Sequence, residues 1–532
     1  MKRPLRDGLV LAAALALLWA PFLPSANPWT GRIFIDVRPP ALLLVLGAGL
    51  GALALLGRRL HRVERWGLAL LLFAAAGLQL AAALVQTILD RSLDLYFDLG
   101  HVPSLIGMFQ DSVGPWRAAG TFALVVCAAV ALVVAISWAL GAWERALNRR
   151  GLAIAALVVT IPALVVGVLY RHFDMNFISF AATDDTADQA RRLVRAASVM
   201  SGYDHRYDAA LSTAAPAGNL ATLAGRDVLL IYVESYGTAV LDDPRLAAKA
   251  EPALAAFADE ARRQGFGVVS SRLVSPVFGA GSWLAHGTMA SGLKLDPFLD
   301  RLVTESDRRT LGRDMKESGH ETVAVMPGIK SPWPESTFWG FEADLFDAQL
   351  HYSGPQFGWF GIPDQYTLER FADAALTPDH PPLFAEIVLV SSHTPFAPVP
   401  PYVEDWRDAG RYDSVSPAQW SVISHSPDWQ HLERSYVESI VYDFRTLGGF
   451  LAKVPGNGLV IILGDHQPPG IVSGETQPWT VPIHVLSRDP ALLEPFRHAG
   501  YVDGAVPPRT GTVKGMESFL GDFLAFYSTA GS

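Results

Sequence analysis

The stretch "LVIILGDHQPP" (459–469) carries an apolar run to Gly464 and then sets a carboxylate, Asp465, beside an imidazole, His466. A run of this kind reads as a strand buried on both faces. Polar residues just past such a strand stand where open α/β sheets bind their ligands. Two more runs end in the same way. "VLLIYVESYG" places Glu234 after its strand, and "EIVLVSSHTPF" places His393 after its own. One acid at a strand end is ordinary turn chemistry. Two carboxylates and an imidazole at several such ends form an N/O donor set suited to Zn²⁺ or Mn²⁺. The ligands come from distant strands, so no single spacing is diagnostic.

A second stretch, "SPVFGAGSWLAHGTMASGL" (275–293), has glycines at 279 and 281 for a tight turn, after which Ser282 opens a helix. A serine there is ordinarily an N-cap. The functional reading is that the helix start turns its amides toward an anion while Ser282 acts as a nucleophile. A metal would activate the hydroxyl and neutralise a phosphoryl oxygen. His286 lies one helical turn on, where packing is the simpler role and substrate contact the functional one. His351, His425, His431 and His484 sit in no motif and read as structural. Trp339, Trp359 and Phe360 read as core or wall residues, and "FGWFGIPDQY" (357–366) as a lid over the site or a structural loop, with Asp364 near it.

These residues need a scaffold, and the chain from 226 onward supplies the pattern of one. Apolar strand-like runs at 227–234, 266–274, 320–326, 383–392, 458–464 and 481–487 alternate with helical segments at 252–264 and 428–452. Alternation of this kind predicts an α/β domain with a mostly parallel central sheet. The first third of the chain is different. Charge-poor runs at 8–24, 40–57, 66–88, 121–142 and 151–170 approach or exceed the roughly 20 apolar residues that cross a bilayer. Basic residues cluster at the N-terminus, in "RRLHRVER" (58–65) and in "WERALNRRG" (143–151), which places those segments in the cytoplasm and the chain after the fifth span outside it. The expected organisation is a transmembrane domain over 1–170 with a cytoplasmic N-terminus, a connector over 171–225 and an extracytoplasmic catalytic domain over 226–532, in the cytoplasmic (inner) membrane. The first span also has the features of a signal peptide; the orientation of the later spans requires it to stay.

Half of the 532 residues are hydrophobic and the net charge is −10, with no basic stripe, which argues against a nucleic-acid partner. The one cysteine, Cys127, lies in the fourth expected span, so the outer half has no disulfide, thiol nucleophile or cysteine-based metal site.

The four stretches "VLLIYVESYG", "FGAGSWLAHGT", "SSHTPF" and "LGDHQPP", in this order behind five spans, resemble the lipoteichoic acid synthase type of phosphoglycerol transferase, in the sulfatase-like branch of the alkaline phosphatase superfamily. The resemblance covers most of the chain. It implies one divalent metal, Mn²⁺ first with Mg²⁺ or Zn²⁺ as alternatives, held by Glu234, Asp465, His466 and Ser282. It implies Ser282 as nucleophile, where the family usually has threonine, His393 facing the phosphate or leaving group, and Trp333 near a headgroup pocket. The implied reaction moves a phospholipid headgroup, phosphoglycerol from phosphatidylglycerol, through phospho-Ser282 to a glycan or polymer hydroxyl and releases diacylglycerol. One departure concerns the headgroup. Around "MPGIKSPWPE" (326–335) this chain has Pro327 and Glu335 where the family tends to have a histidine and an arginine. The alternatives are a phosphoethanolamine transferase, against which the absence of outer cysteines counts, a membrane-anchored phosphodiesterase or sulfatase-like hydrolase, and a catalytically silent binding protein. A true sulfatase nucleophile needs a Pro and an Arg shortly after it, and Ser282 is followed by "WLAH".

Overall fold

The computed structural model of the protein describes residues 2–529 except 27–32, 90, 171–176, 203–204, 206, 331, 359, 411–431, 457 and 475–476. Trp359, His425 and His431 lie outside the described residues. The chain forms two compact units, Met1–Tyr203 and Asp204–Ser532.

The first unit is helical: α1 (Lys2–Trp19), α2 (Ala41–Leu55), α3 (Arg62–Leu89), α4 (Leu95–Val113), α5 (Pro115–Leu147), α6 (Arg150–Leu169) and α7 (Ala181–Met200), with a small antiparallel hairpin of β1 (Pro24–Ala26) and β2 (Ile33–Ile35). Three helices are long and apolar enough to cross a membrane: α3 over Arg62–Thr87, α5 and α6. The other two expected spans fall on α1 and on α2, whose 15 residues make it the shorter apolar helix. The apolar side chains of α5 and α6 point largely outward, Leu124, Val126, Val158 and Val159 among them, which is stable against hydrocarbon and costly against water. Buried Gln79 of α3 donates through Nε2 to the carbonyls of Phe22 and Pro24, tying the turn to α3. Hydropathy does not single out α4, whose apolar residues are interrupted by Asp98, Pro103 and Gln110. The segment 187–200, expected on a membrane surface or on the outer domain, lies in α7 and packs within the first unit, where Gln189 bridges Leu93 and Leu95 of the chain leading into α4.

The second unit is an α/β domain around a nine-stranded sheet in the order β10-β4-β9-β8-β3-β7-β5-β6, with β11 beside β4. The strands are β3 (Val228–Val233), β4 (Gly267–Val274), β5 (Glu321–Met326), β6 (Ala343–Phe346), β7 (Leu383–Leu389), β8 (Leu459–Gly464), β9 (Thr480–Ser487), β10 (Val502–Asp503) and β11 (Lys514–Gly515). β8, β3, β7, β5 and β6 are mutually parallel, and only β9 and β10 run against the rest. The mostly parallel sheet expected from the alternating pattern is therefore present.

The strands at its centre are buried throughout, but their two faces do different work. Leu229, Ile231 and Val233 of β3, with Leu383, Ala385, Ile387 and Leu389 of β7, enter a core filled by Phe257 of the helix Pro244–Arg263 and by Tyr436, Ile440 and Phe444 of the helix Leu432–Phe450. Successive strand residues face opposite ways, so Tyr232 and Glu386 project to the other face. Register then does the positioning. Val233 is level with Gly464 on one side and Leu389 on the other, so Glu234 and Asp465 leave the sheet side by side.

Gly464 is required at that exit, because a Cβ there would overlap the carbonyl of Tyr236, which is backbone and has no room to yield. Gly464→Ala is expected to destabilise the second unit by about 1–3 kcal/mol through overpacking. Urea unfolding of the full chain followed by tryptophan fluorescence checks this; a midpoint equal to that of the wild type would contradict it.

Candidate metal and nucleophile site

Glu234 follows β3 directly, and the next residue, Ser235, takes a left-handed backbone at φ 57°. That turn sends the Ser235 N–H to Asp465 Oδ1 at 2.8 Å and its hydroxyl to Glu234 Oε1 at 3.0 Å. Asp465 Oδ1 also accepts the N–H of His466 at 2.7 Å. Its other oxygen, Oδ2, is buried and accepts no hydrogen bond from the described residues. His466 Nδ1 donates to the carbonyl of Gln467 at 2.7 Å, which leaves Nε2 facing Glu234 Oε1 at 3.3 Å and Asp465 Oδ2 at 3.7 Å. The ligand atoms of Glu234, Asp465 and His466 lie within 4.8 Å of one another, and all three residues are buried.

Ser282 is the first residue of the helix Ser282–Ser291, and the capping position before it is Gly281 at φ 91°. The Ser282 side chain makes no cap, contrary to the ordinary reading of a serine at a helix start. Its hydroxyl donates to Glu234 Oε2 at 3.0 Å and lies 3.2 Å from His466 Nε2. Gln467 fixes the neighbouring backbone. Its carbonyl accepts from Gly279 N–H, and its side chain joins Ala239 N–H, the Thr238 hydroxyl and the Pro478 carbonyl. Ser275 holds the Asp465 carbonyl at 2.6 Å.

The electrostatics call for a cation. Burial and the charge of Glu234 push Asp465 up to about 6. Burial pulls His466 down, yet Asp465, Glu234 and the Gln467 carbonyl carry it above the usual imidazole range. Two buried carboxylates this close cannot both ionise without a counter-charge. The orphaned Asp465 Oδ2, the fixed His466 tautomer and the hard O/N donor set fit a divalent metal held by Glu234, Asp465 and His466, with Ser282 Oγ adjoining.

No family model and no curated protein matches the chain. Among solved structures it is similar to a protein in the alkaline phosphatase superfamily from Vibrio parahaemolyticus, at 18% identity over 52% of this chain and 65% of that one, with a TM-score of 0.34. It thus spans just under two thirds of that protein's length. It is similar to the lipoteichoic acid synthase LtaP from Listeria monocytogenes, at 14% identity over 58% of this chain and 74% of that one, with a TM-score of 0.39. It is also similar to the C-terminal periplasmic domain of EptC from Escherichia coli in complex with Zn, at 14% identity over 50% and 73%, with a TM-score of 0.33.

The remaining residues singled out from the sequence divide into two groups. His393 lies in the turn after β7, its Nδ1 donating to the Thr394 carbonyl at 2.6 Å and its ring edge-on to Phe360 at 4.8 Å. Burial lowers it to about 4, with the charges of His466 and Asp465 acting on it in opposite senses. Asp364 does not enter the site. It accepts the N–H groups of Val390 and Ser391, fixing the turn that carries His393. His286 stacks on Tyr232 at 3.9 Å, with Nδ1 3.9 Å from Glu386 Oε1 and Nε2 buried without a hydrogen bond. Trp333 lies across a cavity from His286. His484 is structural, bonded to Ser270 and Tyr236 inside the sheet. Sequence reasoning missed Glu386 and Asp443. The signal for Glu386 was a lone acid in an otherwise apolar strand, "LFAEIVL"; for Asp443 it was an acid on the apolar stripe of its helix.

Two outcomes follow from this geometry. Metal added at about 100 times its Kd is expected to stabilise the folded chain by about 2.7 kcal/mol, raising the melting temperature by several degrees. Asp465→Asn is expected to remove that rise, and an equal rise in the variant would refute the ligand assignment. The second concerns Asp443, which burial and the adjacent Asp364 push well above the usual carboxylate range. Its folded pKa is raised, so its contribution is full at acid pH and declines as pH climbs from the ordinary carboxylate range toward that higher value. Asp443→Asn is expected to flatten the fall in stability with rising pH, measured by urea unfolding between pH 5 and pH 9 (on the order of the physiological range).

Proposed function

We propose that this chain is a membrane-anchored phosphotransferase of the sulfatase-like type, crossing the cytoplasmic membrane five times with its second unit outside, and that it moves a phospholipid headgroup through phospho-Ser282. One observation carries the reading: a serine hydroxyl at a helix start lies within hydrogen-bond distance of both Glu234 and His466, inside a buried ligand set whose Asp465 Oδ2 has no other partner. The donor suggested by the sequence is phosphatidylglycerol, and the acceptor is a hydroxyl of a glycan or polymer. Phosphoethanolamine transfer uses the same steps.

A divalent metal, Mn²⁺ first and Zn²⁺ or Mg²⁺ as alternatives, would be held by Glu234, Asp465, His466 and Ser282 and would supply Lewis acidity toward the hydroxyl and the phosphoryl oxygen. Glu234 Oε2 accepts the Ser282 proton and aligns Oγ. The N-terminal end of the Ser282–Ser291 helix, with its positive dipole end, favours an anion beside the nucleophile. Ser282 Oγ bonds to phosphorus as the bond from phosphorus to the diacylglycerol oxygen breaks, and that oxygen takes a proton, with His393 as donor. An acceptor hydroxyl then attacks the same phosphorus, its proton passing to His393, and the Oγ–P bond breaks as Oγ takes its proton back from Glu234. Charge on the phosphoryl oxygens is the main catalytic demand in such transfers.

The test uses full-length protein in liposomes with Mn²⁺ and lipids labelled in glycerol or ethanolamine headgroups. Metal-dependent diacylglycerol release and a labelled phosphoryl group on Ser282, found by mass spectrometry, are expected. Ser282→Ala is expected to lose at least about 10³-fold in rate, and Ser282→Thr to keep measurable activity. Undiminished release by Ser282→Ala would sink the covalent route.

A further inference from the structure

Beside the nucleophile helix lies a cavity of about 790 Å³. Trp283, next in sequence to Ser282, and His286 line it together with Trp333, Trp339 and Phe341. The polar groups along it are mainly acids. Asp300 lies against the helix, where a Cβ added at Gly287 would come 3.4 Å from its Oδ1. Glu335 lines it near Trp333 in sequence, and the Arg301 guanidinium pairs with Glu305 at 3.4 Å.

Glu386 closes the cavity from the sheet. Its side chain is 93% buried by the complement of its 7% exposure, and it makes no hydrogen bond among the described residues. Its nearest basic group is His286 Nδ1 at 3.9 Å. Burial pushes His286 down to about 4, so it brings no charge. A buried carboxylate left in this condition holds its proton, and burial pushes Glu386 up to about 8. Burial, with Glu335 and Asp296, likewise lifts Asp300 to about 6. Acids and aromatic faces around one space, with its guanidinium already turned to Glu305, suit that space to a cation.

We infer that this cavity receives the ammonium of an amine-bearing headgroup, with Glu386 as its buried counter-charge, Asp300 and Glu335 beside it, and the rings of Trp333, Trp339 and Phe341 as its walls. The inference rests on the phosphotransfer reading and decides its substrate class: a zwitterionic aminoalcohol phosphodiester instead of the phosphoglycerol suggested by sequence. A glycerol headgroup would bring no positive charge to this acidic lining and would leave Glu386 protonated and unpaired. An ammonium offsets the acids and meets the ring faces, and both effects strengthen as water leaves.

The experiment separates binding from turnover. Full-length Ser282→Ala protein with Mn²⁺ is titrated calorimetrically with phosphoethanolamine, glycerol 1-phosphate and glucosamine. Phosphoethanolamine is expected to bind at least about tenfold more tightly than glycerol 1-phosphate. Adding Glu386→Gln is expected to erase most of that preference, and adding Glu335→Arg to reverse it. Equal or tighter binding of glycerol 1-phosphate, a preference unmoved by both variants, or no binding of either phosphate would overturn the inference. Selection of glucosamine over phosphoethanolamine would overturn the donor assignment and place the amine on the acceptor. In parallel, wild-type protein is given lipids with each headgroup and diacylglycerol is measured. Selective phosphoethanolamine binding without diacylglycerol release from either lipid would support the cavity and refute the transfer.

Discussion

Everything in the second unit is arranged around the burial of two carboxylates at adjacent strand ends. Asp465 resolves half of the problem with backbone: Oδ1 takes the N–H groups of Ser235 and His466 and is satisfied. That division of labour sets the direction of Oδ2, which is left toward Glu234 and His466 with nothing to accept. The left-handed Ser235 costs about 1–3 kcal/mol in backbone strain. In return one residue supplies the N–H that orients Asp465 and the hydroxyl that holds Glu234 Oε1. Without that turn Glu234 would leave the strand with its neighbour's amide pointing elsewhere, and the two acids would not share a focus.

The same strands serve two purposes through their alternation. On one face of the sheet β3 and β7 bury aliphatic side chains against Phe257, Tyr436 and Phe444, which ties their ends to a rigid core. On the other they present Tyr232 and Glu386 to His286. The nucleophile helix is therefore gripped twice, at its first residue by Glu234 and His466 and one turn on by Tyr232. A serine whose hydroxyl must meet two ligands within about 3 Å, as hydrogen bonding requires, needs its helix fixed along the axis, and a second contact one turn away provides that constraint.

How much of this could be read from the sequence depended on contrast. Glu234, Asp465, His466 and His393 stand out because polar residues follow long apolar runs, and register brings the first three together without any local signature. Ser282 was ambiguous, since a cap and a nucleophile look alike until the partner of its hydroxyl is known; here the hydroxyl meets Glu234 and His466 and makes no cap. Asp364 was placed near the chemistry from its neighbours in sequence, but it accepts two backbone N–H groups and acts on the His393 turn alone. Glu386 escaped notice because both faces of its strand are apolar, which hides the period of two that would have shown which way it points. In the first unit hydropathy finds long apolar helices well, as in α3, α5 and α6, and misses α4, where Asp98, Pro103 and Gln110 interrupt the apolar residues.

The two imidazoles of the site show how environment separates roles that residue type leaves open. His466 and His393 each give the Nδ1 proton to a backbone carbonyl, that of Gln467 and of Thr394, so each presents Nε2 to what lies beyond. Around His466 stand two carboxylates, which favour a positive charge at that nitrogen and raise its pKa against the effect of burial. Around His393 burial dominates, edge-on to Phe360, and the ring is held neutral at about 4. A ring so placed has little hold on a proton until an anion comes near. His466, flanked by the two carboxylates, is held the opposite way, so the difference between the two imidazoles follows from which charges the fold has placed beside each ring.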